Sequence, residues 1–105
     1  MSDAIVVLCT CANHQDAFQI GSAVVQERLA ACVNVLPGMQ SIYRWKGNVE
    51  QCDEVLMVIK TMEQRFEILR RRLKELHPYE IPEIVALPIS DASEEYLAWL
   101  RQEVK

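Results

Sequence analysis

The sequence is poor in glycine and contains no long apolar run. Its three glycines, at positions 21, 38 and 47, are too far apart to form a glycine-rich phosphate-binding loop, and no stretch approaches the ~20 apolar residues of a membrane-spanning helix. The first residues include no lysine or arginine, and the apolar run at residues 4–8 is too short for a signal sequence. We therefore expect a cytoplasmic protein without a membrane segment.

The motifs of common enzymes are missing as well. The chain contains no G-x-S-x-G, P-loop, H-E-x-x-H or dinucleotide-binding fingerprint. A proton-transfer enzyme built on His77 with Glu80 or Glu83 would lack both a nucleophile–base pair and a cofactor motif. The net charge is −4 and the basic residues are dispersed, apart from a solvated helix face at residues 70–72, so nucleic acid is not an expected partner. We expect a protein that is not an enzyme.

Enough apolar material is present for one core. Half of the 105 residues are hydrophobic, and no linker or low-complexity stretch divides them, so we predict a single domain over residues 1–105. The four cysteines are Cys9, Cys11, Cys32 and Cys52. In a cytoplasmic protein they should be thiols rather than disulfides.

Hydrophobic periodicity predicts a βαββαβ order with a C-terminal helix. The predicted strands are residues 4–11, residues 33–45 with a bulge at Pro37-Gly38, residues 49–61 and residues 84–89. The predicted helices are residues 14–31, capped by Asn13 and with Phe18 on the apolar face, residues 63–76, and a short helix from Ser90 or Asp91. This order predicts an α+β, ferredoxin-like sandwich, with a hairpin turn at residues 46–48.

The second and third strands form an arm that is too long for one small domain. Fourteen residues at positions 32–45 span ~46 Å as a strand, whereas a domain of this size is only ~33 Å across. The sheet face away from the helices would also be apolar, because alternate residues in both 5–8 and 55–59 are apolar. We therefore predict a closed homo-oligomer that buries the arm and this face.

The segment 77–83, HPYEIPE, combines rigidity with groups that bind metals or carry protons. Pro78 and Pro82 fix their own backbone and force the residues before them out of the helical region. The imidazole of His77 is a candidate metal ligand or proton carrier, or simply a hydrogen-bonded turn residue. Glu80 and Glu83 are candidate ligands, or solvated loop carboxylates.

Cys9 and Cys11 are separated by one residue on the first predicted strand, so their side chains point to the same side. Two thiols so placed suit a soft cation such as Cu(I) or Zn²⁺, but the chain lacks the second Cys-rich or His-rich cluster of a zinc motif, so packing is the simpler interpretation of the pair. Trp45 and Tyr79 are candidates for lining a pocket or for subunit packing. Lys60 is a candidate accessory residue, or an ordinary strand-edge charge.

Six blocks of the sequence resemble the divalent-cation tolerance protein CutA family. They are VVLCT at 6–10, RLAACVN at 28–34, SIYRWKG at 41–47, KT at 60–61, HPYEIPE at 77–83 and YLAWL at 96–100. The resemblance implies a ferredoxin-like homotrimer similar to the P-II signalling proteins, with clefts between subunits. It also implies a cytoplasmic role in tolerance to copper and other divalent metals.

The same resemblance implies a set of site residues. Cys9 and His77 match two proposed copper ligands, while Leu76 stands where the family has a further histidine. The possible accessory or cleft residues are Cys11, Trp45, Lys60, Tyr79, Glu80 and Glu83. The expected ligand is a copper ion, with zinc and other divalent cations as alternatives. The alternative function is a P-II-like signalling or scaffolding trimer that binds a small ligand or a partner in its clefts.

Overall fold

A computed structural model describes residues 2–105 and shows one antiparallel four-stranded sheet with three helices. The strands are β1 (Ala4–Cys11), β2 (Cys32–Trp45), β3 (Asn48–Met62) and β4 (Val85–Pro88), in the sheet order β2-β3-β1-β4. The helices are α1 (His14–Gln26), α2 (Phe66–Leu76) and α3 (Glu94–Glu103), and a single 3₁₀ turn at Glu63–Arg65 leads into α2. The predicted α+β, ferredoxin-like architecture is confirmed.

Helices α1 and α2 cover one face of the sheet and enclose the main core. That core takes the odd-numbered side chains of the central strands, which include Val7 and Cys9 on β1 and Met57 and Ile59 on β3. Their alternation with half-buried neighbours follows from the two-residue repeat of a strand. A second cluster at the other end of β1 packs Ala4 and Met62 against α3.

The face of the sheet away from α1 and α2 is apolar and open in the single chain. Leu8 lies on it between its cross-strand partners Val58 and Val85, and the neighbouring rungs add Val6, Leu87, Leu56 and Leu36. Three of these seven side chains, Leu36, Val85 and Leu87, are about 45% exposed, the other four are half-buried, and all of β4 is exposed. The predicted open apolar face is therefore present, and a contiguous apolar face of this kind is typical of an association surface.

Strands β2 and β3 form a hairpin that extends the molecule to 44 Å along its longest axis, against 25 and 23 Å across. Lys46 and Gly47 make the turn with φ values of 50° and 83°, the left-handed pair that a two-residue hairpin turn requires. The predicted bulge lies between Leu36 and Met39, where Gly38 has a φ of 79°. Because β2 has one extra residue at the bulge, its even-numbered side chains face the open side of the sheet before the bulge and its odd-numbered side chains face that side after it.

Three local predictions were wrong. Helix α1 ends at Gln26 rather than at residue 31, because Arg28 adopts a φ of 61° and the Leu29 carbonyl turns to accept a 2.6 Å hydrogen bond from Thr61. Helix α3 begins at Glu94, because the Ser93 hydroxyl caps it, rather than Ser90 or Asp91. Phe18 projects from α1 into solvent instead of joining the core. Within residues 2–105, no helix combines the length and apolar character needed to cross a bilayer.

Candidate functional site

The loop 77–83 begins where α2 is forced to stop. Pro78 excludes His77 from the helical region, and His77 is extended, with φ −83° and ψ 132°. Its backbone N–H still caps the helix by donating to the Leu73 carbonyl at 2.9 Å. The side chain turns into the protein, where Nε2 lies 2.7 Å from the Thr10 carbonyl oxygen on β1.

The imidazole of His77 is fixed by hydrogen bonds at both nitrogens. The Tyr79 backbone N–H donates to Nδ1 at 3.1 Å, so Nδ1 carries no proton and Nε2 donates its own to Thr10. The ring is 7% exposed and lies 4.6 Å, centroid to centroid, from the Tyr79 ring. A metal at Nε2 would therefore have to replace the bond to Thr10.

Cys11, rather than Cys9, contacts this imidazole. Its Sγ lies 3.7 Å from Nε2 of His77, and Cys9 lies one pleat away on the same helix-covered face. Burial raises the pKa of Cys9 to about 12, with contributions from Cys11 and Glu83, and burial raises that of Cys11 to about 11. Both groups are therefore neutral thiols near pH 7, and a metal would have to displace their protons.

A cleft of about 580 Å³ lies beside the loop, on the open face of the sheet. Its walls carry three carboxylates and three aromatic rings: Glu54, Glu80, Glu83, Tyr43, Trp45 and Tyr79. Among the described residues, no lysine, arginine or histidine lines it. The cleft is therefore acidic, and it lies on the side of the sheet opposite to the two thiols.

Glu54 and Tyr79, which both line the cleft, are joined by a side-chain hydrogen bond. The Tyr79 hydroxyl donates to Oε2 of Glu54 at 2.6 Å, and Glu54 is 8% exposed. Burial raises the pKa of Tyr79 well above its usual range, and the hydrogen bond to Glu54 raises it further. The phenol thus remains a donor at any pH near neutrality.

The structure brings most of the predicted accessory residues together. The cleft is lined by Trp45, Tyr79, Glu80 and Glu83. His77 does not line it, but its imidazole is hydrogen-bonded to the backbone of Thr10, which does. Lys60 lies elsewhere on the open face, opposite Val6 and Cys32, where its ammonium group donates to the Asn34 side chain.

Glu54, Tyr43 and Thr10 were missed as candidate site residues. Glu54 is an even-numbered residue of β3, like the residues of that strand that face the open side of the sheet. A carboxylate that directly precedes this apolar run could therefore have been recognised in the sequence as a site residue. Tyr43 joins the cleft because the bulge transfers the odd-numbered residues of β2 to the open face. Thr10 contributes mainly its backbone carbonyl, which carries no residue-specific signal.

One chain does not supply a complete metal site. In the part of the chain that the structure describes, no three His, Cys, Asp or Glu side chains converge on a point. Cys11 and His77 form a pair of donors, and Leu76, at the position of a family histidine, adds none. A fuller set of ligands would need water or groups from a second copy of the chain.

Comparison with known proteins gives consistent matches along the chain. The family model described as "CutA1 divalent ion tolerance protein" matches residues 5–103. The divalent-cation tolerance protein CutA of Thermus thermophilus is 53% identical over 97 residues, covering 92% of this chain and 94% of that protein. The chain spans about half the length of some relatives, such as 56% of the chloroplastic Protein CutA of Arabidopsis thaliana, to which it is 40% identical.

Solved structures agree with the fold. CutA from Xylella fastidiosa has a TM-score of 0.96 at 41% identity, covering 99% of this chain and all of that one. A protein from Archaeoglobus fulgidus, described as a periplasmic divalent cation tolerance protein CutA, has a TM-score of 0.94 at 31% identity and covers 97% of this chain and 99% of that one. The likeness therefore extends over essentially the whole domain.

Proposed function

The chain belongs to the CutA1 divalent ion tolerance protein family, and we propose that it acts as a homotrimer that binds divalent cations, copper foremost. The observation that carries the proposal is the convergence at loop 77–83. This loop holds His77 against Cys11 on one side of the sheet, and Glu80 and Glu83 in an acidic cleft on the other.

The buried pair suits a soft or borderline cation. An imidazole nitrogen and a thiolate sulfur bind copper or zinc, whereas carboxylate oxygens suit harder divalent ions, and we put copper first because the family resemblance implies it. In the proposal, Cys11 and His77 are the first ligands, and Cys9 is a further sulfur on the same face. Because both thiols must lose a proton, copper affinity should rise with pH.

A second copy of the chain would supply two things that the single domain lacks, a cover for its apolar sheet face and further metal donors. It would cover the apolar face around Leu8 and Val58, and it would bring further donors to a pair that is incomplete alone. Three copies are proposed from the family resemblance. A cytoplasmic location is proposed from the four free thiols, and cell fractionation tests it against the periplasm.

Metal titration with paired variants tests the ligands. We expect Cys11→Ala and His77→Ala to weaken Cu(I) or Cu²⁺ binding by at least tenfold, and Cys9→Ala to weaken it less. Cys32→Ala and His14→Ala remove the same residue types away from the loop and serve as controls. Equal copper affinity in the wild type, Cys11→Ala and His77→Ala would exclude the buried pair as ligands.

A signalling or scaffolding trimer is the second candidate, favoured by the 580 Å³ cleft with aromatic walls. Such a cleft suits a small molecule, and metal binding would then be incidental. A ligand at ~100 times its Kd adds ~2.7 kcal/mol of stability, which a thermal-shift screen detects. In both candidates we propose a binding protein rather than an enzyme, and the raised pKa of the buried Cys11 is the reverse of what an activated thiol nucleophile needs.

A further inference from the structure

A pocket with two arginines lies at the end of the sheet opposite to the hairpin turn. There Ala4 at the start of β1 pairs with Met62 at the end of β3, and the Glu63 backbone N–H donates to the Asp3 carbonyl at 2.8 Å. Helix α3 packs over this end through Val104. The pocket has a volume of about 360 Å³ and is lined by Asp3, Met62, Gln64, Arg65, Arg101 and Val104.

This pocket lies outside the proposed subunit contact. None of the seven apolar residues of the open face lines it, and neither does any residue of β2, β4 or the hairpin turn. Met62 has the same parity as the open-face residues, but α3 covers it and leaves it 6% exposed. The charge of the pocket therefore does not depend on the surface that a second copy of the chain is proposed to cover.

Arg65 carries a buried donor that the protein does not satisfy. Its Nε is shielded from solvent, and no acceptor reaches it among residues 2–105. Neither Arg65 nor Arg101 forms an ion pair within the same residues. Buried polar groups in proteins nearly always have a partner, so a guanidinium that contacts no carboxylate is uncommon and favours an external acceptor. Because Nε is closed off, that acceptor would be bound through the two terminal nitrogens.

The pocket has an excess of positive charge. Arg101 is exposed on α3, and Glu103, two residues further along this helix, pairs with Arg28 at 3.8 Å instead. Asp3 supplies the one carboxylate among the described lining residues, against two guanidinium groups. The chain as a whole has a net charge of −4, so this pocket differs in sign from the rest of the molecule. An anion would be attracted to it over other parts of the surface.

The donor set suits a phosphate group better than a single carboxylate. Each planar guanidinium can bind two oxygens of one anion with parallel N–H donors. A carboxylate has only two oxygens and one charge, whereas a phosphate monoester has three terminal oxygens and a charge of about −2 near pH 8, which balances two arginines. The side-chain amide of Gln64 offers a further, neutral donor.

We propose that this pocket binds a phosphate group, as the free ion or as a small monoester, with Arg65 and Arg101 as cationic donors and Gln64 as the neutral one. The proposal goes beyond the metal-binding function. It uses neither the Cys11–His77 pair nor the acidic cleft, so it can fail while metal binding stands, and the reverse.

Calorimetry with three probes tests the proposal on the whole, metal-free chain at pH 8 and constant ionic strength. The probes are inorganic phosphate, methyl phosphate and acetate. We expect at least one of the two phosphates to bind at least tenfold more tightly than acetate. Tighter binding of methyl phosphate would identify a monoester as the ligand, and tighter binding of inorganic phosphate would identify the free ion.

Four variants then place the anion. Arg65→Gln and Arg101→Gln should each weaken phosphate binding at least tenfold, because each removes one cationic donor. Asp3→Asn removes the competing carboxylate and should tighten binding about two- to fivefold. Arg71→Gln removes an exposed arginine of α2 that does not line the pocket, and should keep the affinity within about twofold of wild type.

The Arg101→Gln result is decisive even if Arg65→Gln fails to fold, because Arg101 is an exposed side chain. An unchanged affinity in Arg101→Gln would overturn the proposal, as would phosphate binding no tighter than acetate binding. An equal loss in Arg71→Gln would show a general charge effect and would overturn it too. Copper titration of Arg101→Gln should give the wild-type affinity, because the Cys11–His77 pair is separate from this pocket.

Discussion

Tyr79 and Glu54 are joined by a 2.6 Å hydrogen bond that ties loop 77–83 to strand β3. The two residues lie 25 positions apart in the chain, and both line the cleft. Tyr79 also positions His77, because its backbone N–H donates to Nδ1 of the imidazole. One residue therefore connects the acidic cleft on one face of the sheet with the imidazole–thiol pair on the other.

Removing the Tyr79 hydroxyl should destabilise the protein measurably. Tyr79→Phe leaves the mostly buried Glu54 carboxylate without its donor, which should reduce the free energy of unfolding by about 1–3 kcal/mol in denaturant titrations. Tyr43→Phe is the matched control, because that hydroxyl is exposed and only reaches Cys52 Sγ at 3.7 Å. A loss in Tyr79→Phe no larger than in Tyr43→Phe would show that the bond is unimportant.

Alkaline pH should destabilise the protein through the buried thiols. The pKa values of Cys9 and Cys11 are raised from 9.0 to about 12 and about 11, so the folded state keeps protons that the unfolded state loses. The stabilisation is fully present below pH 9 and is lost as pH rises, by ~1.4 kcal/mol per pH unit for each thiol, until the folded pKa is passed.

Unfolding experiments from pH 8 to 11 in wild type and Cys9→Ala check this slope. The variant should lose stability less steeply than the wild type above pH 9, whatever its stability at pH 8. Cys52→Ala, in which a half-buried thiol of the hairpin is removed, should follow the wild-type slope. Parallel pH profiles for wild type and Cys9→Ala would contradict the prediction.

A charge on the open sheet face should prevent association. Val58 lies opposite Leu8 on that face, so Val58→Asp places a carboxylate in the middle of the proposed subunit contact. Sedimentation should detect particles of one chain for this variant at micromolar concentration. Ile68→Asp changes an equally apolar residue that is 45% exposed on α2, and should keep the wild-type mass.

A histidine at position 76 should add the donor that this chain lacks. Leu76 ends α2 next to His77, so Leu76→His places a second imidazole beside the Cys11–His77 pair. Copper affinity should rise at least tenfold, and unfolding should become easier by about 1–3 kcal/mol because Leu76 packs against the main core. Ile68→His, which adds an isolated surface imidazole, should leave the copper affinity within about twofold of wild type.

Local sequence signals were sufficient for much of the fold. The apolar run of β1, the Asn13 cap of α1 and the turn at Lys46-Gly47 each depend on neighbouring residues, and each was predicted correctly. The end of α1 was not, because a bond between Thr61 and the Leu29 carbonyl joins residues 32 positions apart. Such a contact is invisible in the local pattern.

The site was predicted in parts rather than as a whole. The prolines of the loop around His77 predict its rigidity. That the imidazole of His77 contacts Cys11 rather than Cys9 depends on where the end of α2 packs against β1, which the local sequence does not show. Glu54 lies in the cleft because of the pairing register of β3. Tyr43 lies there because the single extra residue of the β2 bulge changes which side chains share a face of the sheet. Sequence periodicity does not fix either feature.

Native mass spectrometry of copper-loaded protein reports assembly and metal content together. We expect a particle of three times 12.1 kDa that carries up to three copper ions, and loss of those ions in Cys11→Ala and His77→Ala with the mass of the assembly retained. A copper-free assembly, or a soluble single chain of 12.1 kDa at micromolar concentration, would contradict it.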